Sequence, residues 1–455
     1  MMISVAEAEA RILELCLPLG GPGGSADGPA GDQGRHLEEG NLEQVPLKQA
    51  HGRVLGKAVV ATRDVPHWDN SAMDGYAVRS SDCQTSDSQD SDFHDGESSL
   101  RPLMIVDEVP AGVDPGQGLQ AGRAARIFTG GVLPQGADAV VMQEETERQG
   151  DRVWIKATVQ PGQFVRKQGA YCRAGTTILP PGTRLGPAEL AIAAANQTTQ
   201  LPVIRRPTVA ILSTGNELVS VDQPLKPGQI VDSNRYALTA FVEQMGAIAL
   251  PLGRVGDQRE TVTQAIRQAI AQADIVLSTG GVSVGDYDFV ETVLEELGAT
   301  IAVRKVAIKP GKPLTVAQFS AESLTQLGLD PQGRNRPVVY FGLPGNPVSA
   351  LVGCWRFVAP ALRTIAGRSP QAIPPQFVMA TTQTLLRGAG KRDNYLWGTL
   401  TPEDTGYHFQ SAGGVHQSAN LINLAGTTGL AIVPAGTEMI AEGEAVKVMV
   451  VQEPG

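Results

Sequence analysis

The pattern of hydrophobic positions divides the chain into three parts. Between Val54 and about Leu201, short β-rich runs are separated by Gly and Pro turns, which predicts one or two elongated β-containing domains. After the Arg-Arg-Pro at 205–207, apolar strands alternate with helical patterns, and this alternation predicts a parallel sheet with helices on both faces. From about 369 to 455 short strands return, so we expect a small β-barrel or sandwich there.

These patterns predict a multidomain α/β protein. Residues 1–205 are assigned to an N-terminal β-rich region of two subdomains, which need not be continuous in the chain. Residues 206–368 are assigned to a central doubly wound α/β domain, and residues 369–455 to a small C-terminal β-barrel. The opening residues predict a helix that is capped by Ser4, with Glu7 three positions later.

Two segments differ from the rest in composition. Residues 19–40 are rich in Gly, Pro and acidic side chains, and residues 80–99 are a polar run of Ser, Asp and Gln. Both lack the apolar periodicity that offsets the entropy of ordering a chain, so we expect mobile surface insertions. A regulatory phosphorylation site in the second segment is the alternative to a plain solvated loop.

Composition narrows the class of protein. A length of 455 residues predicts about three domains at roughly 150 residues each. Apolar residues at 42%, charged residues at 18% and a mean hydropathy near zero are typical of soluble globular proteins, and no apolar run reaches spanning length. Charged side chains interrupt the first fifteen residues, where a signal peptide needs an apolar core.

Charge and cysteine usage exclude further classes. The four cysteines form no CxxC pair and the six histidines no HExxH motif, which argues against a zinc site and favours a reducing cytoplasm. A net charge of −10 argues against a general nucleic-acid binder, because such affinity rests on neutralisation of phosphates by Lys and Arg.

Four polar, glycine-rich corners follow predicted strands of the α/β part. They are S-T-G-N-E-L at 213–218, V-G-D at 255–257, T-G-G-V-S-V-G-D-Y-D at 279–288 and G-L-P-G-N-P at 342–347. Because ligands collect at the carboxyl ends of strands in a doubly wound sheet, we expect these corners to form one pocket. Glycines let backbone N–H groups approach a phosphate, and a following helix N-terminus adds partial positive charge.

The predicted pocket combines acidic and basic side chains. Its carboxylates, which would repel a bare polyphosphate, are Glu217, Asp257, Asp286 and Asp288. Mg²⁺ resolves the conflict, because it prefers one or two carboxylates and completes its shell with water and phosphate oxygens. The segment R-K-V-A-I-K-P-G-K-P adds Lys305, Lys309 and Lys312, a set that suits a phosphate or another oxyanion.

Each of these features also has a purely local interpretation. Asp257, with Glu260 three residues later, fits a helix cap. For Asp286 or Asp288, capping the helix that follows is likewise the alternative to a role in binding. Paired glycines are common in tight turns. The absence of GxxxxGK[ST] and GxGxxG disfavours ordinary NTPases and Rossmann dehydrogenases. The residues alone therefore predict a metal-assisted site for a phosphate-bearing ligand, without naming the ligand.

At these motifs the sequence resembles the MoeA type of molybdopterin molybdenumtransferase, a family related to the C-terminal half of gephyrin. The matching segments are D-N-S-A-M-D-G-Y-A-V-R (69–79), R-I-F-T-G-G (126–131), G-A-D-A-V-V-M-Q-E-E-T (136–146), R-R-P-T-V-A-I-L-S-T-G-N-E-L (205–218), G-G-V-S-V-G-D-Y-D-F (280–289), I-K-P-G-K-P (308–313) and G-L-P-G-N-P-V-S-A (342–350). They occur in the family's order and span most of the chain.

The resemblance implies an enzyme of molybdenum cofactor biosynthesis. Such an enzyme takes adenylylated molybdopterin and molybdate, inserts the metal oxyanion into the dithiolene with the help of Mg²⁺, and releases AMP. It also implies a homodimer of elongated subunits, whose site lies where the α/β domain of one subunit meets N-terminal domains of the other. The motifs do not distinguish molybdate from tungstate as the substrate. They also do not indicate whether the protein associates physically with the adenylylating enzyme.

The family's functional positions carry over residue by residue. The resemblance implies catalytic roles for Asp74, Thr129, Glu217, Asp257, Asp288, Lys305 and Lys309, and it places Pro344 and Pro347 in the remaining motif. It assigns Asp257 and Asp288 to the metal or the pterin phosphate, with Asp286 as the cap of the following helix. Gly280, Gly281 and Ser283 are assigned to the phosphate or pterin, and Lys309 with Lys312 to the oxyanion.

The C-terminal domain matches the family less well. Arg392 and Ser418 fall at its GRxEF-like and QGS-like patterns and are expected to reach the cleft, or alternatively to be ordinary surface residues of the barrel. Asn394 stands where Glu is usual, and Trp397 where Arg is. Elsewhere, Asn216 replaces the usual Asp, and Gly-Ala-Tyr at 169–171 replaces Gly-Glu-Asp.

Two other functions share this fold. A molybdopterin adenylyltransferase has a similar α/β domain, but the SAMDGYA segment and the C-terminal barrel are typical of the insertion enzyme. A non-catalytic scaffold is the third hypothesis, which the largely retained site positions disfavour.

Overall fold

The computed structural model describes residues 2–19, 41–84, 102–281, 289–329, 336–404 and 406–452. The chain forms two compact units. The larger contains Met1–Lys57, Pro181–Leu190 and Thr199–Gly455, and the smaller contains Ala58–Pro180 and Ala191–Thr198. The boundaries predicted at 205/206 and 368/369 remain predictions.

The helices include the one predicted at the start of the chain and those that alternate with strands of the α/β part. The α-helices among the described residues are Val5–Glu14, Pro187–Ala195, Ser233–Gln244, Arg259–Gln272, Val290–Glu296, Ala321–Gln326, Pro347–Gly353 and Ala359–Ile365, with a π-helical turn at Cys354–Val358. The predicted cap at Ser4 is confirmed, because its hydroxyl accepts the Glu7 backbone N–H at 3.1 Å. Asp232 caps the helix Ser233–Gln244 in the same way.

A six-stranded mixed sheet forms the centre of the larger unit. Its spatial order is Ile248–Val255, Thr208–Thr214, Ile275–Thr279, Val338–Leu343, Pro313–Phe319 and Thr300–Lys305. The first four strands are parallel, as predicted, and the last two are antiparallel to their neighbours. The last two strands are antiparallel to each other because only residues 306–312 join them. This connection is too short for the crossover that a parallel pair needs.

Alternate side chains of the central strands supply two hydrophobic cores. On one face Val209, Ile211 and Leu277 pack with helices that include Val5–Glu14. On the other face, residues such as Ala210 and Val276 pack against Arg259–Gln272 and Val290–Glu296. Successive side chains of a strand point to opposite faces of the sheet. A strand that is apolar at nearly every position is therefore typical of a sheet covered on both sides. The N-terminal helix thus belongs to the core of the α/β sheet.

The C-terminal strands close into a five-stranded barrel. Around the ring they are Asp393–Glu403, Gly406–Ser411, Phe377–Thr382, Ala445–Val450 and Gly429–Val433, and the last pairs again with the first. The short strand Ile308–Lys309, from the α/β part of the chain, pairs in parallel with the start of Asp393–Glu403. The predicted barrel is therefore confirmed, and one segment of the α/β part is hydrogen-bonded into its sheet.

The smaller unit is built on a six-stranded sheet of its own. The strands in spatial order are Ala139–Met142, Gly75–Val78, Arg123–Ile127, Leu103–Val109, Arg152–Ile155 and Thr146–Gln149. Two short pairs accompany them, Val165–Arg166 with Asn70–Ser71 and Thr177–Leu179 with Val59–Val60. The predicted β-rich character of this region is confirmed.

The first residues of the two predicted insertions are part of the described structure. Residues 20–40 and 85–99 lie outside the described residues. Leu19 is only 1% exposed in the core, and residues 80–83 form a 3₁₀ turn. The backbone N–H and the hydroxyl of Ser80 both donate to the Asp138 carboxylate, at 2.6 and 2.7 Å. The prediction of mobile loops starting at Leu19 and Ser80 is therefore wrong for these first residues.

One helical stretch corrects the expectation that no run reaches spanning length. In the described part of the chain, Pro347–Ile365 is long and apolar enough to cross a membrane by length and composition alone. Within the fold, 78% of its window is buried, and side chains such as Val348, Phe357 and Leu362 lie in the hydrophobic core. The stretch therefore has the burial of a core helix, and the cytoplasmic location remains a prediction.

Candidate active site

A cleft of about 1160 Å³ lies in the larger unit, between the carboxyl ends of the central strands and one side of the barrel. Strands Thr208–Thr214 and Ile275–Thr279 are neighbours, but the chain leaves them toward opposite edges of the sheet. This is the topological switch point, where doubly wound folds bind their ligands. The predicted corners at 213–218, 255–257 and 342–347, and the described start of the corner at 279–288, contribute residues to the cleft.

The floor of the cleft is formed by the ends of these two strands. The Thr214 hydroxyl donates to the Thr279 carbonyl at 3.2 Å, which fixes the spacing of the strand ends. Gly280 and Gly281 follow with φ of +87° and +65°. A Cβ at Gly280 would overlap the Thr214 carbonyl and lie 2.7 Å from the Thr214 hydroxyl. Both the positive φ and the close approach therefore require glycine at Gly280.

Two carboxylate residues, Glu217 and Asp257, line the cleft on loops that follow strands of the central sheet, and this part is called its acidic side. The Asn216 N–H donates to Asp257 Oδ2 at 3.0 Å, and the Asp257 N–H donates to Asn216 Oδ1 at 3.4 Å. The helix Arg259–Gln272 begins after Gln258 and has no side-chain cap. The interpretation of Asp257 as a helix cap is therefore wrong, and its carboxylate is oriented by the neighbouring loop instead.

Three cationic residues, Lys309, Lys312 and Arg392, line the cleft at or next to the pairing of Ile308–Lys309 with Asp393 and Asn394, and this part is called its basic side. Lys309 is placed by the strand Ile308–Lys309, where it is paired with Asn394 of the barrel. None of the three cations forms an ion pair with another residue that the structure describes. Unpaired cations that converge on a cleft are suited to binding an oxyanion.

The corner at 342–347 joins the sheet to the barrel. The Asn234 amide donates to the Gly345 carbonyl at 2.8 Å. The Asn346 amide donates to the Ser418 hydroxyl at 3.0 Å, and the Val348 N–H donates to the Ser418 carbonyl at 3.1 Å. Ser418 of the barrel is thus attached to the start of the helix Pro347–Gly353.

Most residues predicted for the site lie together. The cleft is lined by Glu217, Asp257, Gly280, Gly281, Lys309, Lys312, Pro344, Arg392 and Ser418. Lys305 does not line it; the residue is exposed on the edge strand Thr300–Lys305, and its carbonyl accepts the Ile3 N–H. Pro347, the first residue of the helix Pro347–Gly353, does not line it either. Ser283, Asp286 and Asp288 lie outside the described residues.

Asp74 and Thr129 lie in the smaller unit and are directly bonded. Asp74 Oδ1 accepts both the Thr129 backbone N–H and the Thr129 hydroxyl, each at 2.7 Å. These two bonds lower the pKa of the Asp74 carboxyl, so it is ionised at neutral pH. The two N-terminal positions implied by the resemblance therefore form one local unit.

Several cleft residues were not named individually from the sequence. Thr214 and Thr279 lie in predicted corners, and each ends a strand in the quartet L-S-T-G, which occurs at 212–215 and again at 277–280 and was the available signal. Asn234, Trp397 and His416 also line the cleft. For these three, the neighbours that matter are far away in sequence, so no local pattern marks them.

The described carboxylates offer a partial fit for Mg²⁺. No group of three or more His, Cys, Asp or Glu residues that could hold a metal occurs in the described part of the chain. Mg²⁺ takes only one or two carboxylates when phosphate and water complete its shell. Glu217 and Asp257, on the acidic side of a cleft that also carries cations, meet that requirement.

Profiles of three protein families match the chain along most of its length. They are the MoeA N-terminal region (domain I and II) at residues 3–196, a probable molybdopterin binding domain at 210–364, and the MoeA C-terminal region (domain IV) at 380–451.

Related proteins cover nearly the whole chain. A molybdopterin molybdenumtransferase from Nostoc sp. is 49% identical over 90% of this chain and 88% of its own length. A protein of the same name from Bacillus subtilis is 32% identical over 91% of each chain. The crystal structure of a molybdopterin biosynthesis MoeA protein from Pyrococcus horikoshii has a TM-score of 0.75 at 25% identity, covering 99% of this chain and 100% of that one. The resemblance seen in the motifs is thus confirmed, and the chain belongs to the MoeA family.

Proposed function

We propose that the chain is a molybdopterin molybdenumtransferase that inserts molybdate into adenylylated molybdopterin with Mg²⁺ and releases AMP. The family membership and the names of the relatives from Nostoc sp. and Bacillus subtilis support the transferase activity. The observation that carries the finer proposal is the charge distribution of the cleft. Carboxylates line it after strands of the central sheet, at Glu217 and Asp257, and cations line it next to the pairing with the barrel, at Lys309, Lys312 and Arg392, with no ion pair to any residue that the structure describes.

This distribution suits a ligand with two different anionic parts. A phosphoanhydride near carboxylates needs a divalent cation, which offsets negative charge on the phosphates when it is bound. We assign Asp257 to hold that ion. The Asn216 N–H donates to its Oδ2 and so orients the carboxylate, which lines the cleft. Glu217, exposed on the same side, is the second candidate ligand. Asp288 is retained as the third, on the resemblance alone.

The oxyanion is assigned to the basic side. Lys309, Lys312 and Arg392 supply charge-assisted donors for a dianion such as molybdate. The Ser418 hydroxyl oxygen accepts from Asn346, so its own proton remains for an acceptor in the cleft. These groups hold the oxyanion against the dithiolene and cost little reorganisation, because they are placed by strands and a docked loop.

The proposed reaction balances in two parts. Two molybdenum–sulfur bonds form from the dithiolene thiols, and their two protons leave with one molybdate oxygen as water. Water then cleaves the phosphoanhydride, which releases AMP and leaves the pterin monophosphate. The cations of the basic side stabilise negative charge on the oxyanion, and the glycine turn at Gly280 and Gly281 lets backbone N–H groups approach the pterin phosphate.

We further propose that the functional form is a homodimer. The resemblance implies that N-terminal residues of one subunit complete the cleft of the other, and the Asp74–Thr129 unit is the candidate contribution from the partner. A sedimentation experiment tests this proposal, since a monomer that is fully active at nanomolar concentration contradicts a shared cleft.

One assay tests the proposed reaction. Purified chain is mixed with adenylylated molybdopterin, molybdate and Mg²⁺, and both AMP release and retained molybdenum are measured. We expect AMP to appear in step with molybdenum that stays on the pterin. Consumption of ATP with free molybdopterin, independent of molybdate, would falsify the proposal and support the adenylyltransferase alternative.

A further inference from the structure

His416 lies in the barrel segment that carries Ser418 to the cleft. This segment, residues 412–418, follows the strand Gly406–Ser411. At its far end Ser418 is attached to the corner of the α/β part through Asn346 and Val348. At its near end the His416 imidazole folds back onto the barrel, where Nε2 lies 2.8 Å from the Ser411 hydroxyl and 2.9 Å from the Ala412 carbonyl.

These contacts determine which nitrogen carries the proton. A carbonyl oxygen only accepts, so Nε2 must be the N–H nitrogen and Nδ1 the bare one. Burial lowers the pKa of His416, the Ala412 carbonyl raises it, and the charge of Lys309 lowers it, with a net shift below the ordinary value. The imidazole is therefore neutral at pH 7, and Lys309 is the charged group that acts on it.

The ring of His416 packs against Trp397, with centroids 4.3 Å apart and planes tilted by 51°. Trp397 is only 1% exposed, so it gives the imidazole a fixed surface. It also belongs to the strand Asp393–Glu403, whose Asn394 is paired with Lys309. A continuous series of contacts thus runs from Lys309 through the barrel strand and Trp397 to His416, two residues before Ser418.

Two buried nitrogens at this contact have no hydrogen-bond partner in the described part of the chain: His416 Nδ1 and Trp397 Nε1. Both have almost no solvent-accessible surface, so a ligand does not reach them in this conformation. These two atoms are therefore not ligand contacts in this conformation, although both side chains line the cleft. The imidazole atom that makes hydrogen bonds is Nε2.

We propose that His416 is a positioning residue, which holds the segment 412–418 so that the Ser418 hydroxyl faces the oxyanion side of the cleft beside Lys309. The inference rests on the proposed function for the identity of the oxyanion. The anchoring itself rests on the contacts of His416 with Ser411, Ala412 and Trp397.

Three substitutions at one position separate the possible roles. The amide nitrogen of Gln reaches the place of Nε2, whereas that of Asn reaches only the place of Nδ1. His416→Gln therefore keeps the bond to Ala412, and His416→Asn and His416→Ala lose it. His408→Ala is the matched control, because His408 lies on the same barrel, pairs with Glu403 and does not line the cleft.

The first measurement is molybdate affinity by calorimetry, with sodium molybdate as the probe and full-length protein. We expect His416→Ala and His416→Asn to bind molybdate about tenfold more weakly, the scale of one lost hydrogen bond. His416→Gln and His408→Ala should bind as the parent does. In the AMP-release assay the Michaelis constant for molybdate should rise, while that for adenylylated molybdopterin stays unchanged, a split that a general loss of structure does not produce.

The second measurement is hydrogen exchange of the peptide that covers residues 412–420. Exchange should be faster in His416→Ala and His416→Asn and unchanged in His416→Gln. Equal exchange and equal molybdate affinity in all variants overturn the proposal. Rescue by Asn but not by Gln also overturns it, since Nδ1 would then be the functional atom. If the parent binds no molybdate, the proposed function fails, and the exchange data alone decide the role of His416.

Discussion

Replacing Gly280 by Ala tests whether the floor of the cleft is as tightly packed as the structure shows. The new methyl group meets two separate costs. Gly280 has a φ of +87°, and the left-handed region costs an L-residue about 1–2 kcal/mol. The methyl group would also overlap the Thr214 carbonyl and crowd its hydroxyl, and overpacking of this kind costs about 1–3 kcal/mol.

Gly246→Ala isolates the second cost. Gly246 has a φ of +82°, and a Cβ there would have no atom within 4 Å, so the variant shares only the backbone strain. The expected difference between the two variants is therefore about 1–3 kcal/mol. At about 1–2 °C per kcal/mol for a unit of more than 250 residues, the thermal midpoint of Gly280→Ala should lie about 1–6 °C below that of Gly246→Ala.

The same substitution should impair the cleft. Moving the Thr214 carbonyl away from a new methyl group disturbs its hydroxyl bond to Thr279 and the spacing of the two strand ends. We expect Gly280→Ala to lose molybdenum insertion at temperatures where it is fully folded, and Gly246→Ala to keep it. Equal thermal midpoints and equal activity in the two variants refute the packing argument.

Three further predictions follow from single side chains. Asp257→Asn should lower AMP release about a hundredfold or more by removing the metal-binding charge, while circular dichroism shows the helix that begins at Arg259 intact; activity within twofold of the parent contradicts the assignment. Lys309→Ala should weaken molybdate binding by calorimetry much more than Lys305→Ala, because only Lys309 lines the cleft; equal losses contradict this. Asp274→Asn should lower the free energy of unfolding by urea by about 3–5 kcal/mol at pH 7, the scale of a broken buried ion pair. If parent and variant differ as much at pH 3 as at pH 7, the expected dependence on the ionisation of Asp274 is wrong.

The pH dependence of the last prediction follows from the environment of Asp274. Burial acts to raise the pKa of this carboxyl, but the Arg205 guanidinium, which donates two bonds at 2.7 and 2.8 Å, holds it below the ordinary value of 3.8. A lowered pKa means that the stabilisation is complete above the unfolded value and is lost as pH falls through the folded one. The difference between parent and Asp274→Asn should therefore shrink below about pH 4.

Local patterns were sufficient for the elements and for most of the cleft. The Ser4 cap, the helix Ser233–Gln244 and the alternation of strands and helices depend on residues within a few positions of one another. The corners at 213–218 and 342–347 were also predictable, because strand ends of a doubly wound sheet meet at one edge.

Local sequence patterns did not predict the contacts between residues that are far apart in the chain. Lys305 and Lys309 belong to the same predicted strand end and turn, and only the structure shows that Lys309, paired with the barrel, lines the cleft. The contact of Trp397 with His416 likewise joins a strand to a connecting segment that the sequence alone does not align with it. Asp257 was ambiguous for a related reason, since its partner Asn216 is 41 residues away.

The short strand Ile308–Lys309 has a mechanical consequence for substrate capture. It leaves the edge of the central sheet, pairs with the barrel at Asp393 and Asn394, and returns to the sheet at Pro313. Arg356 adds a second tie, since its guanidinium donates to Glu9 and to Tyr395 of the barrel. A hinge motion between sheet and barrel would have to break these bonds, so we expect their separation to stay constant when a ligand binds. Binding would then cost no free energy for closing the barrel onto the sheet.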